Sequence, residues 1–255
     1  MATATRLYVP DPLEAGAVVG ASAEQAHYLR SVLRMKGGEE VLLFNGRDGE
    51  WSARIEGLGK GWASLAVEAQ RRPQTAEPDV WLLFAPIKRA RLDFLLQKAV
   101  ELGASRIAPV LTQRTQVERV KTERLVANAI EAAEQCERLD APQVDAPRAL
   151  DAWLDAWPAD RRLLLCAEAG AAPPIADALA AHRAQPDAER PHWAILCGPE
   201  GGFTNAELEL LRELSFVTPV GLGPRILRAE TAGLAALAVW QSVMGDWGSR
   251  PPDRE

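Results

Sequence analysis

Two glycine-bearing turns in the last quarter of the chain hold the residue types best suited to chemistry. The first, Gly198-Pro-Glu-Gly-Gly-Phe-Thr204, ends the apolar run Trp193–Cys197. The second runs from Val220 to Gly233 and brings Arg225, Arg228 and Glu230 with it. At the carboxyl end of a strand in an open α/β sheet, main-chain N–H and C=O groups are available to a ligand. Glycine lets that backbone approach closely, because no Cβ intervenes. One such turn alone would be ordinary strand-end chemistry. Two of them, with two guanidiniums and a carboxylate alongside, predict a ligand held largely by main chain.

The spacing excludes the common nucleotide sites. A dinucleotide fingerprint needs three glycines at fixed spacing early in a βαβ unit and an acidic residue about twenty positions on. Here Gly221-Leu-Gly223 is followed by Pro224, and Ile226 takes the third position, with no later strand to carry the acid. The phosphate-loop pattern GxxxxGK(S/T) is absent. His27, His182 and His192 are scattered and lack partners at ligand spacing, so no metal is expected.

The elements that must position these turns alternate. Val80–Ala85 is a continuous apolar run, as expected for a strand buried on both faces. A helix is predicted over Ala90–Leu102, closed by Gly103, then a strand over Ile107–Leu111 and a helix over Thr122–Leu139. Further strands are predicted at 163–167, 194–197 and 216–221. This alternation implies an α/β fold with a parallel sheet covered on both sides. The first seventy or so residues differ. Val41–Ile55 reads as two strands joined by Asn-Gly and Asp-Gly turn signals, Trp62–Val67 as a third, and Ser22–Arg34 as a capped helix. Trp51 and Trp62 are expected in the core of this small barrel-like domain rather than as base-stacking platforms. Polar residues with two prolines at 70–79 mark a linker. The assigned division is 1–72, linker 73–79, 80–247, and a disordered tail 248–255.

Composition bounds the class. The chain has 255 residues, 47% apolar and 25% charged, with no low-complexity tract and no apolar run of the ~18–20 residues that span a bilayer. Its start lacks a basic segment followed by an apolar core, so no secretory signal is expected. Three widely spaced cysteines, Cys136, Cys166 and Cys197, fit neither a disulfide frame nor a zinc site and suggest the cytosol. A net charge of −6 argues against a general nucleic-acid coat. Residues 82–119 nevertheless hold seven Lys/Arg against three Asp/Glu, so any nucleic-acid contact belongs to one face.

The two turns closely resemble those of the RsmE family, the 16S ribosomal RNA uracil-N3 methyltransferases of the SPOUT class. The stretches Lys98–Gly103, Glu131–Arg138 and His27–Arg34 are similar to it as well, so the resemblance covers most of the chain. Ala229 departs from it, where relatives often carry Thr. The resemblance implies a parallel sheet with a C-terminal trefoil knot, a PUA-like β-barrel domain in front, and a homodimer. It implies S-adenosylmethionine cradled by Leu196, Gly198, Glu200 and Gly201 from one loop and Leu222, Gly223, Ile226 and Leu227 from the other. The partner would be 16S rRNA within the small ribosomal subunit. Methylation at uracil N3 needs loss of a weakly acidic proton, hence a base or positive charge for the anion.

Arg228 is the candidate for anion stabilisation and Glu230 for the base, although Glu230 at a helix start would also favour the helix dipole. Glu134 and Arg138 share a helix face and read as an ion pair; Gln135 and Arg138 alternatively line the RNA side. Arg30 and Arg34, four apart on one helix face, with the basic run Lys88, Arg89 and Arg91 and with Arg114, are the other RNA-contact candidates. A different RNA target on the same fold, or a binding protein without turnover, stays open at this point.

Overall fold

The computed structural model describes residues 5–117, 119–166, 172–183 and 191–249. Ala167, the last residue of one expected strand, and positions 250–255 of the expected tail lie outside them. The chain forms two compact units: residues 1–76 with 130–141, and 77–129 with 142–255.

The first unit is a five-stranded sheet of β1 (Arg6–Tyr8), β2 (Val18–Ala21), β3 (Glu40–Phe44), β4 (Glu50–Gly59) and β5 (Trp62–Arg72), in the order β1-β3-β4-β5-β2. β1 runs parallel to β3 and the other pairs are antiparallel. Alternation fills the core with Leu7, Val19, Leu43, Ile55 and Leu65, closed by Ala26 and Leu29. The expected helix over 22–34 is shorter and irregular. Ser22 and Gln25 form a reciprocal capping box for α1 (Ala23–His27), and Tyr28–Val32 then winds as a π-helix. Arg34 has φ +58, outside any helix, so Arg30 and Arg34 do not share a helical face.

Trp62 corrects another expectation: it is 54% exposed, while Trp51 packs against the core. The indole of Trp62 lies over Gly57 and Gly59, where a Cβ would come within 2.8 Å and 2.0 Å of the ring. Glycine backbone in β4 thus receives the aromatic ring on the outside of the sheet.

Residues 130–141 belong to this unit for an electrostatic reason. Helix α3 (Thr122–Gln135) ends with carbonyls that have no partner within the helix. Arg6, buried in β1, donates to the carbonyls of Ala133 and Glu134 at 3.0 Å each and of Arg138 at 2.7 Å. Its Nε pairs with Glu50 at 2.7 Å, and Arg72 pairs with the same carboxylate at 2.8 Å. Burial pushes the Glu50 carboxyl up, and the hydrogen bonds from Arg72 and Arg6 more than offset it, leaving it below its ordinary value. The helix stops four residues before the expected Leu139, with Glu137 at φ +64. The expected Glu134–Arg138 pair gives way accordingly. Glu134 accepts the Tyr8 N–H at 2.9 Å, and Arg138 pairs with Asp140 at 2.9 Å.

The second unit is an all-parallel sheet of β6 (Val80–Phe84), β7 (Arg106–Leu111), β8 (Gln143–Val144), β9 (Arg148–Ala149), β10 (Arg161–Cys166), β11 (His192–Cys197) and β12 (Val217–Val220). The order is β12-β10-β11-β6-β7-β8, with β9 also on β7. Helices α2 (Arg89–Glu101), α4 (Leu150–Asp155), α5 (Ile175–Arg183), α6 (Asn205–Glu213) and α7 (Ala229–Val243) connect and cover it. Leu82, Leu163, Leu164, Leu165, Ile195 and Leu196 are fully buried, as the unbroken apolar runs require. Small residues let α7 lie close to the strands: a Cβ on Gly233 would already touch Leu82, Leu95 and Cys197. Gln241 of α7 donates to the Leu102 carbonyl at 2.9 Å, fastening α7 to the end of α2.

Candidate functional site

All strands of the second sheet point the same way, so the loops after β6, β7, β11 and β12 leave one edge together. Gly198–Thr204 follows β11, and Gly221–Arg228 follows β12. Gly198 is required by Phe203, whose ring would lie 2.8 Å from an added Cβ. Gly202 and Gly223 adopt φ +65 and +97, which side-chain-bearing residues rarely hold. The second turn is tied at its base to the segment before α5: Gly221 N–H donates to Pro173 O at 2.8 Å, and Ile175 N–H to Gly221 O at 3.1 Å.

Between the two turns lies a pocket lined by Cys166, Cys197, Gly198, Leu222, Gly223 and Leu227, with Arg225 and Ile226 at its side. Five of the eight cofactor candidates therefore meet there: Gly198, Leu222, Gly223, Ile226 and Leu227. Leu196 lies one residue below, its side chain in the sheet core, and Glu200 and Gly201 occupy the outer part of the first turn. Ile226 is 91% exposed, an apolar side chain with nothing of the described chain over it.

Neighbouring loops brace the first turn. Arg114, which follows β7, donates to Gly201 O at 2.8 Å and Phe203 O at 3.3 Å. Glu207 forms a capping box with Thr204, and its other oxygen accepts the Gln113 N–H at 2.8 Å. The sequence Thr204-x-x-Glu207 is a readable signature of such a cap. Arg114, a candidate RNA contact by sequence, thus has a structural partner in the glycine turn.

Arg228 and Glu230 start α7. Arg228 is the N-cap residue and exposed; Glu230, in the first turn, is only 7% exposed. One oxygen of Glu230, Oε2, is buried without a hydrogen-bond partner. The other, Oε1, lies 3.7 Å from Arg91 Nε, and Arg91 Nη1 lies 3.5 Å from Glu200 Oε1. Arg91 therefore stands between two carboxylates from two different loops. Sequence reasoning saw it only as part of a basic run, since nothing in the spacing of 91, 200 and 230 announces their meeting.

The remaining RNA candidates divide between the units. Lys88, the N-cap of α2, and Arg89 are exposed on the second. Arg30, Arg34 and Gln135 are exposed on the first. Arg138 is 8% exposed and paired with Asp140, so its side chain offers little surface to RNA. Among the described residues, no group of three or more His, Cys, Asp or Glu is placed to hold a metal ion, and no helix is long and apolar enough to cross a membrane.

Residues 75–241 match the RNA methyltransferase domain family, and residues 22–67 match the RNA methyltransferase PUA domain family. Ribosomal RNA small subunit methyltransferase E of Rickettsia conorii is 34% identical over 91% of this chain and 93% of its own. The chain belongs to that methyltransferase family. The enzyme of the same name from Synechocystis is 35% identical over 92% of this chain and 76% of its own. Among solved structures, the family member of Neisseria gonorrhoeae bound to S-adenosyl methionine superposes with a TM-score of 0.82 at 30% identity, covering 96% of this chain and 100% of that one. A putative methyltransferase of Legionella pneumophila in complex with the cofactor gives 0.81 at 31% identity, covering 94% and 98%. The PUA match lies within the first unit, and the methyltransferase match covers most of the second together with residues 130–141 of the first.

Proposed function

We propose that this chain transfers a methyl group from S-adenosylmethionine to N3 of a uracil in 16S rRNA of the small ribosomal subunit. The observation that carries the reading is the pocket between the two glycine turns, with the orphaned Glu230 Oε2 beside it, in a chain of this family. The pocket suits the cofactor: Leu222, Ile226, Leu227 and the backbone of Gly198 and Gly223 stand beside Cys166, Cys197 and Arg225, and a Cβ on Gly223 would point into open space. Gly198, Gly201, Leu222, Gly223, Ile226 and Leu227 would hold it, with Leu196 and Glu200 at the ends of the first loop.

When bound, the cofactor supplies an electrophilic methyl group on a sulfonium. The chain supplies the rest. Glu230 Oε2 takes the proton of uracil N3, and Arg228 offers positive charge to the carbonyl oxygens of the resulting anion. Arg91 holds the Glu230 carboxylate in place and links it to Glu200. Arg30, Arg34, Lys88, Arg89, Arg114 and Gln135 contact RNA, chiefly phosphates, which fixes orientation rather than sequence. The exposed ones suit this best.

The division at 73–79, a trefoil knot in residues 80–247, a homodimer and a cytoplasmic setting belong to the same proposal. The hydrogen bonds of Gly221 to Pro173 and Ile175 support a threaded path for the last segment, and three free thiols support the cytoplasm. The test is methyl transfer from labelled S-adenosylmethionine to small subunits lacking the modification, with mass spectrometry of the nucleosides. 3-Methyluridine is expected; another methylated nucleoside would overturn the target, and no product would overturn the activity.

A further inference from the structure

Cys166 and Cys197 end neighbouring parallel strands. β10 and β11 pair in register from Arg161 with His192 to Leu165 with Leu196, and the next step brings Cys166 beside Cys197. In-register neighbours on parallel strands stand about 4.8 Å apart and point to the same face. That falls inside the ~4.4–6.8 Å range of Cα separations a disulfide spans. Both residues line the pocket between the glycine turns, and both thiols are free. The third cysteine, Cys136, belongs to the other unit.

We propose that Cys166 and Cys197 form a reversible oxidation site, converted by hydroperoxide-class oxidants to a disulfide that closes the pocket to its ligand. The two thiols are not equivalent. Cys197 is 1% exposed, and its hydrogen bond to Cys166 and its burial push its thiol well up, so it keeps its proton. Cys166 is 8% exposed and the more accessible of the two, which makes it the attacking sulfur. The Cys166 sulfur attacks one peroxide oxygen; the S–O bond forms, the O–O bond breaks, and the departing hydroxide leaves as water with the Cys166 proton. Cys197 sulfur then attacks Cys166 sulfur. The S–S bond forms, the S–O bond breaks, and hydroxide leaves with the Cys197 proton as water. Two thiols are oxidised and one hydrogen peroxide is reduced to two waters.

The bond acts on the pocket because the first turn springs from β11 and the second from β12, the strand paired with β10. Cys197 precedes Gly198 directly, and Cys166 pairs with Val220, which precedes Gly221. Drawing the sulfurs from contact to bonding distance shifts the roots of both turns, and displacement on the order of 1 Å is costly to a preorganised site. The identity of the ligand rests on the function proposed above; the dithiol does not.

The experiment treats the whole protein with hydrogen peroxide, then maps cross-links by mass spectrometry without reduction. Binding of S-adenosylhomocysteine is measured by calorimetry before oxidation, after it, and after dithiothreitol. A Cys166–Cys197 cross-link is expected, with affinity falling about ten-fold or more and recovering on reduction. Cys136→Ser should behave as the parent, and Cys166→Ala and Cys197→Ala should each form no cross-link. Oxidation confined to Cys136, or a cross-link that leaves affinity unchanged, would overturn the proposal. If the reduced protein does not bind the probe, the cofactor reading fails, and the absence or presence of the mapped cross-link still decides whether the dithiol is oxidised as a pair.

Discussion

Arg91 Nε approaches Glu230 Oε1 to 3.7 Å, while the second oxygen of that carboxylate is buried with no hydrogen-bond partner among the described residues. Buried carboxylate oxygens are rarely left unsatisfied, because each costs about 1–3 kcal/mol or more when charged. Arg91 also reaches Glu200, so one guanidinium on α2 couples the first glycine turn to the start of α7.

Glu230→Gln is expected to lower kcat by roughly 10²–10⁴ with cofactor affinity nearly unchanged, because the amide keeps the shape and loses the base. Arg91→Ala should lower kcat by about ten-fold or more, and Arg91→Lys should recover part of it, as a charge without the two-way fork. Single-turnover rates with calorimetry of the cofactor check both. Wild-type turnover in Glu230→Gln would remove it as the base.

Arg228→Ala should reduce turnover by roughly 10² while cofactor affinity changes little, since the side chain is exposed at the head of α7 and lines no part of the pocket. Equal losses in both quantities would reassign Arg228 to holding the cofactor.

The buried Arg6–Glu50–Arg72 cluster makes stability depend on acid. Glu50 has its folded-state pKa lowered, so its contribution is fully present above the ordinary carboxylate value near ~4.3 and is lost as pH falls through the lower folded value. Denaturant titrations of the parent and Glu50→Gln should therefore differ most at neutral pH and converge under acid. A gap that widened on acidification would contradict the sign.

Gly103→Ala should destabilise by about 2–4 kcal/mol, because φ is +77 and a Cβ would lie 2.4 Å from Gln241 Nε2, displacing its bond to Leu102. Gly223→Ala, at φ +97 but in open space, carries only the backbone strain of about 1 kcal/mol. Its larger effect should appear in cofactor affinity. Thermal melts alongside calorimetry separate the two.

Much of this was legible in the residues. Unbroken apolar runs such as Val80–Phe84 announce strands buried on both faces, and the paired glycine turns announce the sheet edge where the pocket opens. The misses have a common cause: they depend on contacts between distant residues. Arg138 leaves its i, i+4 partner because Arg6 takes the end of α3, and Trp62 leaves the core because two glycines on β4 make room for it outside. The π-helical turn at Tyr28–Val32 preserves the apolar spacing of a helix while turning Arg30 and Arg34 apart. Local periodicity has no means of reporting such exchanges.

The clamp of Arg6 on the end of α3 also bears on synthesis at the ribosome. The carbonyls it binds lie 127 to 132 residues further along the chain. At a translation rate of about 5–20 residues per second, β1 waits roughly 6–26 s for its partner to be made. Until then a guanidinium destined for burial has Glu50 and the Phe44 ring, themselves made after it, in place of those carbonyls. A fragment ending at residue 76 would be held in that incomplete state permanently, and the nascent chain passes through it on every round of translation.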